Sequence, residues 1–128
     1  MIDHISIAVR DLAKAETFYT ALLAPLGMTK LREWPDAAIG FGKKYPEFWI
    51  NRRDGMSRVA DDSGVHICLR AVDTASVDAF HAAALKCGGS SDGAPGPRPH
   101  YYPGYYAAFV RDPDGNRIEA VTFLREGS

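Results

Sequence analysis

Residues 4–11 read His-Ile-Ser-Ile-Ala-Val-Arg-Asp, and residues 66–73 read His-Ile-Cys-Leu-Arg-Ala-Val-Asp. The two stretches begin 62 positions apart. The same spacing relates three further pairs: Phe18 with Phe80, Leu23 with Leu85, and Gly27 with Gly89. Self-similarity at one fixed spacing is typical of a duplicated structural unit. We therefore expect two copies of one module, at about residues 1–56 and 63–125, within a single domain that spans residues 1–128.

Each module opens with a predicted strand and a predicted helix. Aliphatic residues alternate in the two opening stretches, which places them on one face of a strand. Asp11 and Asp73 follow at the position where an N-cap side chain accepts the free amides of a helix. Apolar residues continue at helical spacing until Gly27 and residues 88–89, and glycine commonly ends a helix. His81 is expected on the surface of the second helix, with no functional role.

Shorter strands are predicted after each helix. They are expected near residues 29–34, 37–41 and 47–52 in the first module, and near residues 90–92, 105–111 and 117–123 in the second. Residues 112–116 read Asp-Pro-Asp-Gly-Asn, which predicts a turn because Pro sets φ and Gly or Asn tolerates positive φ. The proline-rich residues 93–104 are expected to form a long connection. The pattern indicates an α+β chain of two β-α-β-β-β modules.

Composition limits the class of partner. The chain has 128 residues, of which 46% are hydrophobic, and this size allows one well-filled core. Its 15 basic and 16 acidic residues are not gathered into blocks, so we expect a small-molecule ligand and neither nucleic acid nor a membrane as partner. No apolar stretch approaches the roughly 18 residues of a membrane span. We expect a cytoplasmic protein, with Cys68 and Cys87 as free thiols.

Two histidines and one glutamate form the candidate chemical site. His4 and His66 occupy equivalent positions at the start of the two opening strands, on the face opposite the aliphatic residues. Glu119 lies in the apolar stretch 117–121, where a buried unpaired carboxylate would be costly and therefore needs a cation or a donor. Two imidazoles and a carboxylate suit zinc, iron, manganese or nickel and leave coordination positions open. We predict one catalytic divalent metal ion.

These residues resemble the vicinal oxygen chelate superfamily, which contains glyoxalases, bleomycin resistance proteins and extradiol dioxygenases. The resemblance is carried by residues 4–11, the strand at His66 and residues 112–119, and it covers nearly the whole chain. Residues 93–106 look like those of a glyoxalase-like subgroup. The resemblance implies paired modules that form an open, mixed-sheet, barrel-like cleft, with His4, His66 and Glu119 as the metal ligands.

The sequence departs from this family pattern at one ligand. Glyoxalase I enzymes usually supply a further glutamate from the last strand of the first module, where this chain reads Phe-Trp-Ile-Asn at residues 48–51. We expect Trp49 near that position, lining the substrate site. The remaining three-ligand set is similar to that of extradiol dioxygenases and of fosfomycin-type thiol transferases.

The resemblance implies Lewis-acid chemistry, in which a metal chelates adjacent oxygens of a substrate. On this hypothesis the protein is a lyase, isomerase or dioxygenase for a small oxygenated molecule. The site residues that we predict are listed by role: catalytic Glu119, His100 and Tyr102; substrate-binding Arg98, Tyr101 and Trp49. The loop aromatics could equally be surface residues that pack on the barrel rim.

Other functions and assemblies remain open at this stage. One alternative is a metal-free small-molecule-binding protein similar to bleomycin resistance proteins, and another is a fosfomycin-type thiol transferase. An open barrel edge favours a homodimer, since pairing would cover it. The sequence leaves open whether His4 joins His66 and Glu119 of its own chain or of a second copy.

Overall fold

The computed structural model describes residues 1–125, so the last three residues of the expected domain lie outside the described part. The first module consists of β1 (Ile5–Val9), α1 (Leu12–Leu23), a short 3-10 turn (Ala24–Leu26), β2 (Thr29–Trp34), β3 (Ala38–Gly42) and β4 (Phe48–Arg52). The second consists of β5 (His66–Arg70), α2 (Thr74–Lys86), β6 (Ser90–Pro97), β7 (Tyr105–Arg111) and β8 (Arg117–Phe123).

The two modules have the same sheet topology. The first sheet has the strand order β1-β4-β3-β2, and the second has the equivalent order β5-β8-β7-β6. In each sheet the opening strand pairs in parallel with the last strand of its module, and the other neighbours are antiparallel. Both sheets are mixed and unclosed. The predicted α+β fold of two β-α-β-β-β modules is confirmed.

Both helices begin as the sequence predicts, but α1 ends at Leu23, and the 3-10 turn Ala24–Leu26 separates it from Gly27. Asp11 accepts a hydrogen bond from the amide of Lys14 at 3.0 Å, and Asp73 accepts one from the amide of Ser76 at 2.8 Å. Gly27 has a φ of +81°, a left-handed conformation that glycine adopts without steric cost. Neither helix of the described chain is long and apolar enough to cross a membrane.

The two helices pack against each other, and each covers one face of its own sheet. The resulting core is shared by both modules. Its largest fully buried side chains include Phe18, Tyr19, Phe41, Phe48 and Phe80. The opposite face of each sheet is not covered by a helix and is turned away from this shared core. We call these two surfaces the open faces.

The turn at residues 112–116 also joins the modules. Several side-chain contacts cross from this turn to the first module. Among them, Tyr19 Oη donates to Asp112 at 2.6 Å, Arg10 Nε donates to Asp114 at 2.7 Å, and Asn116 Nδ2 donates to the carbonyl of Ala8 at 2.9 Å. The predicted turn is present, and its acidic residues hold the end of β1 and helix α1. We call this set of contacts the intermodule clamp.

Strand β6 is longer than predicted. We expected a weak strand near residues 90–92, but pairing with β7 continues to Pro97, with irregular register around Gly93 and Gly96. That prediction was wrong in extent: residues 93–97, which were expected to belong to a long connection, continue the strand. β6 is the edge strand of its sheet, where a residue without an amide proton is tolerated.

Candidate metal and ligand site

The open face of the second sheet carries most of the predicted site. Residues alternate along β5, so that Ile67 and Leu69 pack on the core while His66, Cys68 and Arg70 project from the other face. The parallel register places His66 beside Arg117 and Cys68 beside Glu119. Alternation and register together place the β5 imidazole and the β8 carboxylate on one surface.

Glu119 is a buried carboxylate with a partner at each oxygen. The residue is 2% exposed. His66 Nε2 lies 3.1 Å from Glu119 Oε1, and the hydroxyl of Tyr105 donates to Glu119 Oε2. These partners offset the desolvation that a strand carboxylate would otherwise suffer. Two of the three predicted metal ligands are therefore adjacent.

His4 forms no hydrogen bond with this pair. It is exposed just before β1, and its Nδ1 lies 2.7 Å from the carboxylate of Asp3. His4 and His66 line one open pocket of about 320 Å³, but Glu119 does not line it. Within residues 1–125, no three His, Cys, Asp or Glu side chains converge closely enough to hold a metal ion. The three-ligand centre thus stays a prediction.

Tyr105 and Cys68 complete the surroundings of Glu119 and were not predicted as site residues. Burial, followed by the nearby Glu119, raises the pKa of the Cys68 thiol to about 12. Burial and the hydrogen bond to Glu119 also raise the pKa of the Tyr105 hydroxyl. Both groups therefore stay protonated near neutral pH. Alternation along β7 could have indicated Tyr105, because it shares a face with Phe109, the register partner of Glu119.

The loop after β6 places its predicted residues beside this centre. His100 packs on Tyr101, with ring centroids 4.4 Å apart, and Tyr101 meets Tyr105 edge to face at 5.3 Å. Tyr101 also lines a pocket of about 210 Å³ that contains His66. Arg98 instead donates to the carbonyl of Ala94 at 2.7 Å and so braces its own loop.

Four aromatic side chains line an open pocket of about 500 Å³, which we call the aromatic cup: Tyr101, Tyr102, Tyr105 and Phe123. Two of them, Tyr101 and Tyr102, were predicted to act at the site. The cup adjoins the candidate metal ligands His66 and Glu119, because the hydroxyl of Tyr105 donates a hydrogen bond to Glu119.

Trp49 lies on the open face of the first sheet. It pairs in register with Ser6, and its ring packs so closely on Gly40 that a Cβ there would approach the ring to 2.9 Å. Trp49 therefore lies on the same sheet face as Ser6 of β1. Tyr101, which is also predicted to bind substrate, belongs to the second module. The substrate-binding role of Trp49 stays a prediction.

The donors at His66 and Glu119 fit a divalent ion chemically. An imidazole nitrogen and a carboxylate oxygen are ligands of zinc, iron, manganese and nickel. The His66 side chain is half exposed, which leaves room for further ligands on the solvent side. A third protein donor, supplied by His4, would give the set that the sequence predicts.

The chain resembles solved structures over nearly its full length. A glyoxalase/bleomycin resistance protein from Albidiferax ferrireducens is 30% identical with a TM-score of 0.80, and the match covers 93% of this chain and 96% of that one. The fosfomycin resistance protein FosX from Mesorhizobium loti is 19% identical with a TM-score of 0.67, covering 98% and 94%. A glyoxalase I mutant from Zea mays is 23% identical with a TM-score of 0.70, covering 92% and 45%.

The last two similarities, below 25% identity, establish the fold alone. A search of curated proteins finds no match. A family model matches residues 1–120, which is most of the chain. The chain belongs to the Glyoxalase/Bleomycin resistance protein/Dioxygenase superfamily.

Proposed function

We propose that the protein is a divalent-metal-dependent enzyme for a small oxygenated molecule, of the lyase, isomerase or dioxygenase type. The observation that carries the proposal is the 3.1 Å separation between His66 Nε2 and Glu119 Oε1. This separation is less than twice a metal–ligand bond of about 2.1 Å, so both atoms can bind one ion. Glu119 is also too deeply buried to serve as an ordinary surface carboxylate.

The third ligand that we propose is His4 of a second copy. The helices pack against each other, so the open faces are turned away from the shared core. Neither open face can be covered by the helices of its own chain, and a homodimer could place the first module of one copy over the second module of the other. His4 is exposed and has only Asp3 as a side-chain partner in the described chain, so it is free to contribute to such a site.

A bound ion would act as a Lewis acid that polarises adjacent oxygens of the substrate. The chain's own residues would orient the metal ligands, transfer protons and contact the substrate. Tyr105 donates to one carboxylate oxygen of Glu119, which leaves the other oriented toward His66. Tyr102, at the cup, and His100, packed on Tyr101, are our candidates for proton transfer. Tyr101 is the predicted substrate contact that best fits this geometry, since it lines both the cup and the pocket at His66.

Metal binding tests the proposal directly. Chelator-treated protein is titrated with zinc, manganese, iron(II) or nickel, and the melting temperature and bound metal are measured. We expect at least one ion to raise the melting temperature by several degrees, because a ligand that binds only the folded state stabilises it. Glu119→Gln should abolish this rise, whereas Glu33→Gln, an exposed carboxylate of the first sheet, should preserve it.

The absence of any effect by all four ions would overturn the metal proposal. It would favour the metal-free small-molecule-binding alternative, which requires only the cup. Stabilisation by a phosphonate together with a thiol would instead support the thiol transferase alternative.

A further inference from the structure

The aromatic cup is built like a receptor for a flat ring. Tyr105 and Phe123 are register partners on adjacent strands, and their ring centroids are 5.4 Å apart. Tyr101 meets Tyr105 at 5.3 Å, and Tyr102 meets Phe123 at 6.0 Å. All three pairs are edge to face, which is the favoured geometry for aromatic contacts. The cup is shallow and largely open to solvent, so a ligand ring would be covered on one side only.

These rings are unusually exposed for their size. Tyr101 is 56% exposed, Tyr102 is 62% exposed and Phe123 is 38% exposed. A cluster of exposed aromatic side chains on an otherwise polar surface commonly marks a binding site. A ring entering the cup would remove several aromatic faces from water at once.

A positive charge lies next to Phe123, one of the four lining residues, although Arg70 itself does not line the cup. The Cζ atom of Arg70 lies 4.7 Å from the ring centroid of Phe123. No side chain within residues 1–125 forms an ion pair or a hydrogen bond with the Arg70 guanidinium. In contrast, Arg52, Arg111 and Arg117 each lie within ion-pair distance of an aspartate. This free charge would repel a cationic ligand and attract an anionic one.

We propose that the aromatic cup and Arg70 bind an aromatic carboxylate, with its ring among the four aromatic side chains and its carboxylate at the guanidinium. The inference rests on the proposed function, because it names the class of substrate that would be presented to His66 and Glu119. The site requires both an aromatic ring and a negative charge in its ligand. A carboxylate without a ring, or a neutral ring of equal size, satisfies only half of the site.

The test uses chelator-treated protein and three probes: benzoate, benzamide and acetate. Binding is followed by isothermal titration calorimetry and by amide chemical shifts in two-dimensional NMR. We expect saturable binding of benzoate, about five-fold tighter than that of benzamide, as an exposed ion pair of roughly 1 kcal/mol would give. Acetate should show no saturable binding. Benzoate should shift amides around Phe123 and residues 101–105.

Three variants separate the contributions. Arg70→Gln should weaken benzoate to the level of benzamide and leave benzamide unchanged. Phe123→Leu should weaken both ring compounds by about three-fold, since one aromatic contact is lost. Arg53→Gln removes an exposed arginine from a turn of the first module and should change neither affinity. Melting temperatures near that of wild type would show that these exposed substitutions leave the fold intact.

Several outcomes would overturn the inference: no saturable benzoate binding, equal affinities for benzoate and benzamide, or no effect of Arg70→Gln. If a second copy of the chain covered the cup, the protein would be a dimer that does not bind benzoate. This result would also overturn the inference. Because no metal is present in this assay, failure of the metal centre would leave benzoate binding intact. Conversely, failure of the cup would leave the metal-induced rise in melting temperature intact.

Discussion

Two neighbouring side chains stabilise and orient the buried carboxylate of Glu119. A carboxylate that is 2% exposed would be strongly destabilised if it were unpaired, but Tyr105 and His66 each engage one of its oxygens. Tyr105 therefore fixes the orientation of the Glu119 carboxylate, as outer-shell hydrogen bonds do for metal ligands in general. The role is one of positioning, since the hydroxyl contacts the carboxylate.

Tyr105→Phe should weaken metal binding without unfolding the protein. The substitution removes one hydroxyl and leaves a carboxylate oxygen of Glu119 without its donor, so we expect the metal Kd to rise about ten-fold. Tyr106→Phe is the matched control, because its hydroxyl also donates to a carboxylate, that of Asp78, at 2.7 Å. Equal metal affinity in the two variants, measured by competition with a chromophoric chelator, would remove the positioning role.

His81 is a second residue whose environment differs from expectation. We expected it on the surface of α2, but it is 8% exposed, and its Nε2 lies 2.9 Å from Ser91 Oγ. That prediction was wrong because α2 also packs on strand β6, which widens its buried face. Burial lowers the pKa of His81 from its usual value, and Asp78 partly opposes this effect.

This lowered pKa predicts how stability depends on pH. The unfolded chain takes up a proton at His81 near pH 6.5, whereas the folded chain does so only at lower pH. Stability should therefore fall as the pH decreases through the window below 6.5 and rise as the pH increases through it. His81→Gln cannot titrate, so its melting temperature should fall less between pH 7 and pH 5 than that of wild type. His100→Gln, an exposed control, should follow wild type, and parallel curves for all three proteins would contradict the prediction.

At the scale of elements, local sequence signals identified strands, caps and turns well. Alternation placed His66 and Glu119 on the correct strand faces, and Asp11 and Asp73 cap the predicted helices. The extent of β6 could not be derived, because its pairing partner β7 and its edge position determine whether prolines are tolerated. The intermodule clamp was also hidden, since the turn signal at residues 112–116 says nothing about what its carboxylates contact.

The intermodule clamp should make a measurable contribution to stability. Asp112 is buried, and desolvation raises its pKa, so it depends on its donors, among them the Tyr19 hydroxyl at 2.6 Å. Tyr19→Phe keeps the ring in the core but removes this donor, and we expect a loss of about 1–3 kcal/mol in the free energy of unfolding. Tyr45→Phe, at an exposed tyrosine, should cost less than roughly 0.5 kcal/mol. Urea denaturation of both variants measures the difference, and equal midpoints would show that the clamp contributes little.

At the scale of the whole molecule, whether His4 meets His66 and Glu119 depends on how the two open faces are arranged in space. Local sequence patterns do not indicate this arrangement. The repeat shows that His4 and His66 are equivalent within their modules, but not whether the two open faces of one chain can meet. The packing of α1 against α2 favours open faces that are completed by a second copy. In the proposed dimer, the metal centre would be a property of the assembly, and its ligands would come from two chains.

A shared centre predicts complementation between two defective chains. His4→Ala and Glu119→Gln should each bind metal weakly alone, because every site in either homodimer lacks one ligand. In a mixed dimer, one site combines the intact His4 of one chain with the intact His66 and Glu119 of the other, and the second site carries both defects. After refolding an equal mixture, about a quarter of the wild-type number of tight sites should return, since half of the dimers are mixed. Equilibrium dialysis counts these sites, and a mixture of two Glu119→Gln preparations is the control. If the ligands came from one chain, no mixture would recover a tight site, whereas recovery would place His4 across the dimer interface.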